Sequence, residues 1–138
     1  MATTLLARLV DELRAAVDDD PASSRVVLHE VVQNVVAGFP ACVLIADAHG
    51  RLVAASDETL QTLGYTLASL RELNVTELAG HQEEDEVELL WESFRRERRQ
   101  SGRFTLRHRN GTLVPTRYAA TSNTVAGLLA AVHVVGQD

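Results

Sequence analysis

Residues 103–121 read RFTLRHRNGTLVPTRYAAT and carry the clearest structural signal in the chain. Up to Arg109, apolar and polar side chains alternate, which is the period-two pattern of a half-buried strand. Asn110-Gly111 then predicts a type I′ hairpin turn, because both residue types tolerate a positive φ. The chain returns as a second strand over residues 113–121, so this stretch predicts an antiparallel pair of strands.

Further strands are predicted before and after this pair. Residues 128–135 are apolar at nearly every position and predict the last strand. Residues 41–46 form a continuous apolar run, turn residues 47–50 follow, and residues 51–55 return as a short strand. The sequence therefore predicts five strands, at least two pairs of which are hairpins.

Helical spacing dominates the first forty residues. Residues 3–17 carry leucine and valine three and four positions apart, which predicts an amphipathic helix. Residues 27–36 are rich in β-branched valine, so a strand is the alternative there. A helix is preferred because the apolar pairs recur at helical spacing with polar residues between them, and Gly38 closes it.

Helical pieces are expected between the second and third strands. Ser56 or Asp57 caps a short helix that Gly64 ends. Residues 67–72 predict another short helix, and residues 74–80 an irregular segment or a single turn. Residues 83–100 predict the longest helix, whose acidic start and basic end both complement the helix dipole. Its apolar stripe consists of Val87, Leu90, Trp91 and Phe94.

Composition and charge restrict the class of protein. The chain has 138 residues, of which 46% are hydrophobic, as expected of a single globular domain. Its net charge of −6 argues against a nucleic-acid partner, since such proteins need a basic face for the phosphates. No apolar run reaches the roughly 18 residues of a membrane span, and the start of the chain is not a secretory signal. We therefore expect a cytoplasmic protein with no membrane partner.

In order and spacing, the predicted elements resemble a PAS domain from about Phe39 to Asp138. Four motifs carry the resemblance: the turn at residues 47–50, SDETLQTLGYT (56–66), EVELLWESFRRERRQSG (86–102) and RNGTLVP (109–115). The resemblance implies an α+β fold, in which a five-stranded antiparallel sheet carries helices on one face and residues 1–38 form a helical extension. Many family members have Asn-Pro after the second strand; this chain has Ser56-Asp57, and either pair can cap a helix.

The resemblance also implies a function. PAS domains are sensory modules of signal-transduction proteins, here of bacterial type, and their interior holds the ligand or cofactor when there is one. The final residues, HVVGQD, end where the family usually continues into an output module, so one is expected after Asp138. We expect a small ligand or a partner to be sensed, and the change to be relayed through the N-terminal helices and the C-terminal exit. The alternatives are a ligand-free module for dimerisation or protein interaction, and a haem-binding gas sensor.

Alternation assigns the strand side chains to two faces. Those expected to face the helices are Phe104, Leu106, His108, Val114, Thr116, Tyr118, Val132 and Val134. The outer face, around Leu129, Ala131 and Val135, is too apolar for water, so the N-terminal helices are the expected cover. The candidate ligand pocket is lined by Val87, Leu90, Trp91, Phe94, Phe104, Leu106, His108, Thr116 and Tyr118. Its three polar residues either orient a ligand or satisfy their own hydrogen bonds near the rim of the sheet.

A homodimer is expected, because the apolar stripe of the first helix is wider than a single partner needs. The predicted interface consists of Leu6, Leu9, Val10, Leu13, Val17, Leu129, Ala131 and His133. His133 is included because alternation places it on the outer face, near these helices. Intramolecular packing of the same helices in a monomer is the alternative.

The sequence requires no cofactor. Haem needs an axial ligand, usually histidine, and because residues 83–100 contain none, His81 is the candidate. Flavin bound covalently to cysteine needs a cysteine in the helical segment, whereas Cys42, the single cysteine, lies in the first strand and also excludes an internal disulfide. The chain lacks a G-x-S-x-G elbow, a metal-spaced histidine pair and a phosphate-binding glycine loop. We therefore expect neither a metal site nor an enzyme.

Overall fold

Five antiparallel strands form one sheet in the computed structural model, which describes residues 2–19, 25–79, 92–94, 96–122 and 128–135. The strands are β1 (Cys42–Ala46), β2 (Leu52–Ala55), β3 (Arg99–Arg107), β4 (Leu113–Thr121) and β5 (Leu129–Val135). Their order in the sheet is β2-β1-β5-β4-β3. The helices are α1 (Ala2–Asp19), α2 (Arg25–Ala37), α3 (Asp57–Leu63) and α4 (Leu67–Leu70), and Val75–Leu78 forms a 3₁₀ turn. The fold class is α+β, as predicted, and among the described helices none is long and apolar enough to cross a membrane.

Helices α1 and α2 cover the outer face of the sheet. One buried cluster joins α1 and α2 to the sheet and includes Leu6, Leu9, Leu13, Val32, Val36, Val43, Ile45, Ala130 and Val132. The valine-rich segment is a helix, as preferred, because apolar residues four positions apart pack together against the sheet. The sheet is therefore enclosed by helices on both faces, which confirms the expected outer cover.

The edge strand β2 is held by a side chain of α2. The amide of Gln33 donates from Nε2 to the carbonyl oxygen of Ala55 at 3.0 Å. It also accepts from the Ala55 N–H at its Oε1, again at 3.0 Å. The side chain thus imitates a neighbouring strand and satisfies backbone groups that an edge leaves unpaired.

A buried hydroxyl sets the start of α3 beneath β1. Ser56 is the N-cap, as expected, and Gly64 ends the helix with a φ of 79°. Ser56 Oγ accepts the N–H of Val43 at 2.9 Å and donates to the carbonyl of Ala41 at 2.7 Å. These bonds fix α3 against β1, so its buried Leu63 packs on the inner face of the sheet.

The faces of β5 are the reverse of those expected. His133 lies opposite both Tyr118 of β4 and Cys42 of β1, and residues opposite each other point to the same side of a sheet. His133 therefore faces inward with Leu129 and Ala131, whereas Val132 packs in the outer cluster. The prediction was wrong because β5 is apolar at nearly every position. A period of two defines two sets of residues, and without polar markers it does not say which set is buried on which side.

Two local predictions at the ends of β3 are also wrong. The helix that was expected to reach Gln100 ends earlier, because Arg98 adopts a left-handed φ of 66° and β3 begins at the next residue. Residues 92–94 and 96–97 are helical, and residues 83–91 lie outside the described part. The β3–β4 turn is not type I′, because only Gly111 has a positive φ, and its N–H donates to the carbonyl of His108. The loop is one residue longer than predicted, with the glycine in third place.

Candidate functional site

An apolar cavity of about 110 Å³ lies against the inner face of the sheet. Its floor is formed by β1, β3, β4 and β5 through Leu44, Ala46, Gln100, Phe104, Leu106, Tyr118, Ala120, Leu129, Ala131 and His133. Val75, Leu78 and Phe94 contribute from the helical side. An engineered cavity of about 150 Å³ holds benzene, so this one has room for about one small ring.

Three rings on neighbouring strands form one wall of the cavity. Tyr118 and His133 are stacked, with centroids 5.5 Å apart and planes inclined by 20°. Phe104 meets Tyr118 edge to face, with centroids 5.9 Å apart. The strand register causes this arrangement, because Tyr118 and His133 lie directly opposite each other. The wall is therefore aromatic and rigid, and it carries two polar residues.

His133 is the most deeply buried polar group of this wall, with 6% of its surface exposed. Its Nδ1 lies 2.9 Å from Thr116 Oγ1, and that hydroxyl donates to the Phe104 carbonyl at 2.7 Å. Burial lowers the pKa of His133 from its ordinary 6.5 to about 4, so the imidazole is neutral near pH 7. A neutral ring retains an acceptor nitrogen, and such a buried acceptor costs about 1–3 kcal/mol if nothing donates to it.

Tyr118 is the second polar group of the cavity wall. Its hydroxyl donates to Oε1 of Gln100 at 2.8 Å. Burial raises the pKa of Tyr118, which keeps the phenol protonated at physiological pH. The cavity wall thus presents neutral polar groups in an apolar surround.

The structure brings together only part of the predicted pocket. Phe94, Phe104, Leu106 and Tyr118 line the cavity. Thr116 lies behind the wall, where it holds His133. Val87, Leu90 and Trp91 lie outside the described residues.

His108 lies away from the cavity, over the end of α3. A Cβ built on Gly64 would be 2.5 Å from Cε1 of His108, so the ring occupies the space that the glycine leaves open. Its Nδ1 accepts the N–H of Asn110 at 3.0 Å. This position corresponds to the alternative considered above, a polar residue that satisfies its hydrogen bonds near the rim.

The prediction missed the apolar lining residues from β1, β5 and the 3₁₀ turn, and it missed two polar ones, His133 and Gln100. Gln100 was assigned to a helix and His133 to the outer face, and both errors follow from the register and helix boundary described above. The signal that could have identified His133 is chemical: it is the single ionisable side chain in an otherwise apolar strand. A polar residue in such a strand is either a solvent marker or a buried functional group, and periodicity does not distinguish the two.

The residues of the predicted dimer interface fall into two groups. Leu6, Leu9, Val10 and Leu13 are buried against the chain's own sheet, and Val17 packs at the border of the same cluster. Leu129, Ala131 and His133 line the inner cavity. A self-association surface on α1 would therefore have to use the part of this helix that stays partly exposed.

Of the two residues considered for cofactors, only Cys42 is in the described part of the chain, and it is not among the described residues that line the cavity. His81 lies outside the described part of the chain. Cys42 lies in β1, as predicted, with its Sγ 3.7 Å from Thr62 Oγ1 of α3. Burial is the main effect that raises the pKa of its thiol, so Cys42 is a protonated core residue.

No protein-family model and no curated protein sequence matches this chain. Solved structures do match it. A PAS domain from Desulfitobacterium hafniense is 20% identical, with a TM-score of 0.66 over 74% of this chain and 98% of that one. The PAS domain of an HTR-like protein from Haloarcula marismortui is 14% identical, with a TM-score of 0.65 over 77% and 89%. A domain of a sensory box sensor histidine kinase/response regulator from Geobacter sulfurreducens is 15% identical, with a TM-score of 0.58 over 81% and 98%. The five-stranded sheet with its inner helices thus has the fold of a PAS domain.

Proposed function

We propose that this chain is a sensory module that binds a small, mainly apolar molecule in the inner cavity and catalyses no reaction. The observation that carries this function is the cavity, in which an apolar surface surrounds a buried histidine and a tyrosine. Ligand sites are typically of this kind, concave and apolar with a few placed polar groups. The Geobacter domain of similar fold comes from a sensor kinase, which supports a sensory role.

The size of the cavity limits the ligand. Pockets for drug-sized molecules occupy roughly 300–1,000 Å³. At about 110 Å³, the described cavity fits a molecule of about one ring. We infer that the ligand is a small aromatic or a short aliphatic molecule.

Strand β5 offers a route by which binding can be relayed. Ala131 and His133 line the cavity, and Val132 between them packs in the outer cluster with the N-terminal helices. A ligand that fits one position of β5 better than another shifts the population of the corresponding α1 arrangement. We therefore propose that α1 and the C-terminal end of β5 transmit the occupied state.

Mass spectrometry of purified, denatured protein tests this function. We expect a co-purified small molecule in the wild-type sample. In the Ala131→Leu variant the larger side chain fills the cavity. This variant should remain folded, and the small molecule should no longer co-purify with it. Ala119→Leu, the matched change at a buried position of the outer cluster on β4, should retain it but unfold more easily, because overpacking costs about 1–3 kcal/mol. A wild-type protein that carries no small molecule and binds neither toluene nor phenol as a probe contradicts the proposal.

A ligand-free association module is the second candidate, and the small size of the cavity favours it. On α1, Leu5 and Val17 remain only partly buried beside the outer cluster. We propose that two copies associate through this flank of α1. Association and ligand binding are separable, because the flank and the cavity lie on opposite sides of the sheet.

A further inference from the structure

The hydroxyl proton of Thr116 decides whether the cavity wall offers a ligand a hydrogen-bond donor or an acceptor. Thr116 has a single O–H, and its oxygen lies 2.7 Å from the carbonyl oxygen of Phe104. A carbonyl oxygen only accepts, so the proton of Thr116 must point to Phe104. The hydroxyl of Thr116 therefore has no proton left for His133.

The proton between Thr116 and His133 must come from the histidine. Nδ1 of His133 lies 2.9 Å from Thr116 Oγ1, and with the Thr116 proton committed elsewhere, Nδ1–H is the donor of this bond. In a neutral imidazole the other nitrogen, Nε2, then carries a lone pair and accepts. Among the described residues no group donates to Nε2, although the ring is 94% buried and lines the cavity. The burial that lowers the pKa of His133 favours the same neutral ring.

Tyr118 also presents a hydrogen-bond acceptor, and this follows from a contact that does not involve His133. Its single O–H is used towards Gln100 Oε1 at 2.8 Å, so the phenol oxygen retains its acceptor capacity. The rings of Tyr118 and His133 are stacked, which places the two acceptor-bearing rings side by side on the cavity wall. No Asp, Glu, Lys or Arg is among the described residues that line the cavity. The described part of the lining therefore offers no counter-charge to an ion that loses its hydration there.

Resting on the ligand-binding function proposed above, we propose that the cavity selects a neutral molecule of about one ring that carries a hydrogen-bond donor. A phenol, a small alcohol or an N–H heterocycle has this chemistry. The donor bonds to Nε2 of His133 while the apolar remainder fills the space beside Phe104. Carboxylates and purely acceptor molecules are disfavoured beside these two rings, because Nε2 of His133 and the phenol oxygen of Tyr118 both present acceptors to them.

Phenol and toluene, which have equal numbers of non-hydrogen atoms, test the selectivity in the full chain. Dissociation constants from calorimetry or NMR titration are compared in the wild type and in His133→Phe. The ratio of the toluene constant to the phenol constant should fall about tenfold in the variant, since one hydrogen bond is lost. Comparing proteins with the same pair of probes cancels the cost of removing the phenol hydroxyl from water.

A second variant and a direct measurement keep the test independent of changes in folding. Thr116→Val retains the His133 ring but frees its tautomer, so the same ratio should fall. Long-range ¹H–¹⁵N spectra of the wild type at pH 7 should place the imidazole proton on Nδ1. A proton on Nε2, or a ratio unchanged in His133→Phe, overturns the selectivity and leaves the ligand-binding function intact. If the wild type binds neither probe and no small molecule co-purifies, both are overturned.

Discussion

Ser56 shows how much one buried side chain contributes to joining two elements. Its Oγ serves the N–H of Val43, the carbonyl of Ala41 and, at 3.4 Å, the N–H of Thr59. Ser56→Ala leaves these buried groups unpaired, and we expect the free energy of unfolding to fall by about 2–3 kcal/mol. Urea denaturation measures it. Ser69→Ala removes the exposed capping bond that Ser69 Oγ accepts from the N–H of Thr66, and it should cost less than about 1 kcal/mol. Equal losses in the two variants would contradict the role of burial.

The burial of His133 predicts how stability depends on pH. Its pKa is about 4 in the folded chain and about 6.5 when unfolded, so the fold favours the neutral ring. This contribution is fully present above pH 6.5 and is lost as the pH falls from 6.5 towards 4, by up to about 3 kcal/mol. Its neighbours across the sheet, Cys42 and Tyr118, stay uncharged in this window because both pKa values are raised.

Urea denaturation at several pH values between 7 and 4 measures this dependence. In His133→Phe the loss of stability on acidification should be smaller than in the wild type. His49→Phe, at an exposed position in the β1–β2 turn, is the control and should retain the wild-type slope. Identical slopes in all three proteins would show that His133 is not buried as described.

At the scale of elements, two hydrogen bonds from the Gln33 side chain to the backbone of Ala55 join α2 to β2. Gln33→Leu preserves the helix and its size but removes both bonds to Ala55, and we expect a loss of about 1–2 kcal/mol. Hydrogen exchange should be faster at the Ala55 amide in particular. Asn34→Leu changes the exposed neighbour on the same helix and should leave that amide protected. Unchanged exchange in Gln33→Leu would rule out the contact.

The elements differ in how well the sequence predicts them, and the reason is the number of independent markers. In β3 and β4, the exposed Arg103, Arg107 and Arg117 mark the solvent side. Phe104, Leu106 and Tyr118 were therefore correctly assigned to the inner face. α3 has a cap at each end, and both caps were found. β5 has no such markers, and its facing depends on register with β4, a tertiary property. The cavity was therefore predicted on the β3–β4 side and missed at His133.

At the scale of the whole molecule, the flank of α1 predicts the oligomeric state. Light scattering at micromolar concentration should give about twice the chain mass of 15.1 kDa. Leu5→Glu places charge on the partly exposed side of α1 and should yield single chains. Leu113→Glu, at a site 46% exposed on β4, should leave the pair intact. A wild-type mass of one chain would contradict self-association.

The layer formed by α1 and α2 also has a consequence for solubility. It covers Val43, Ile45 and Val132, and Gln33 binds the backbone groups of Ala55 in the edge strand β2. A version shortened to start at Phe39 would expose the apolar outer face of the sheet and leave the edge strand β2 unpaired. Such an edge is a template for intermolecular strand addition. We therefore expect the amino-terminal helices to protect the sheet from fibrillar aggregation.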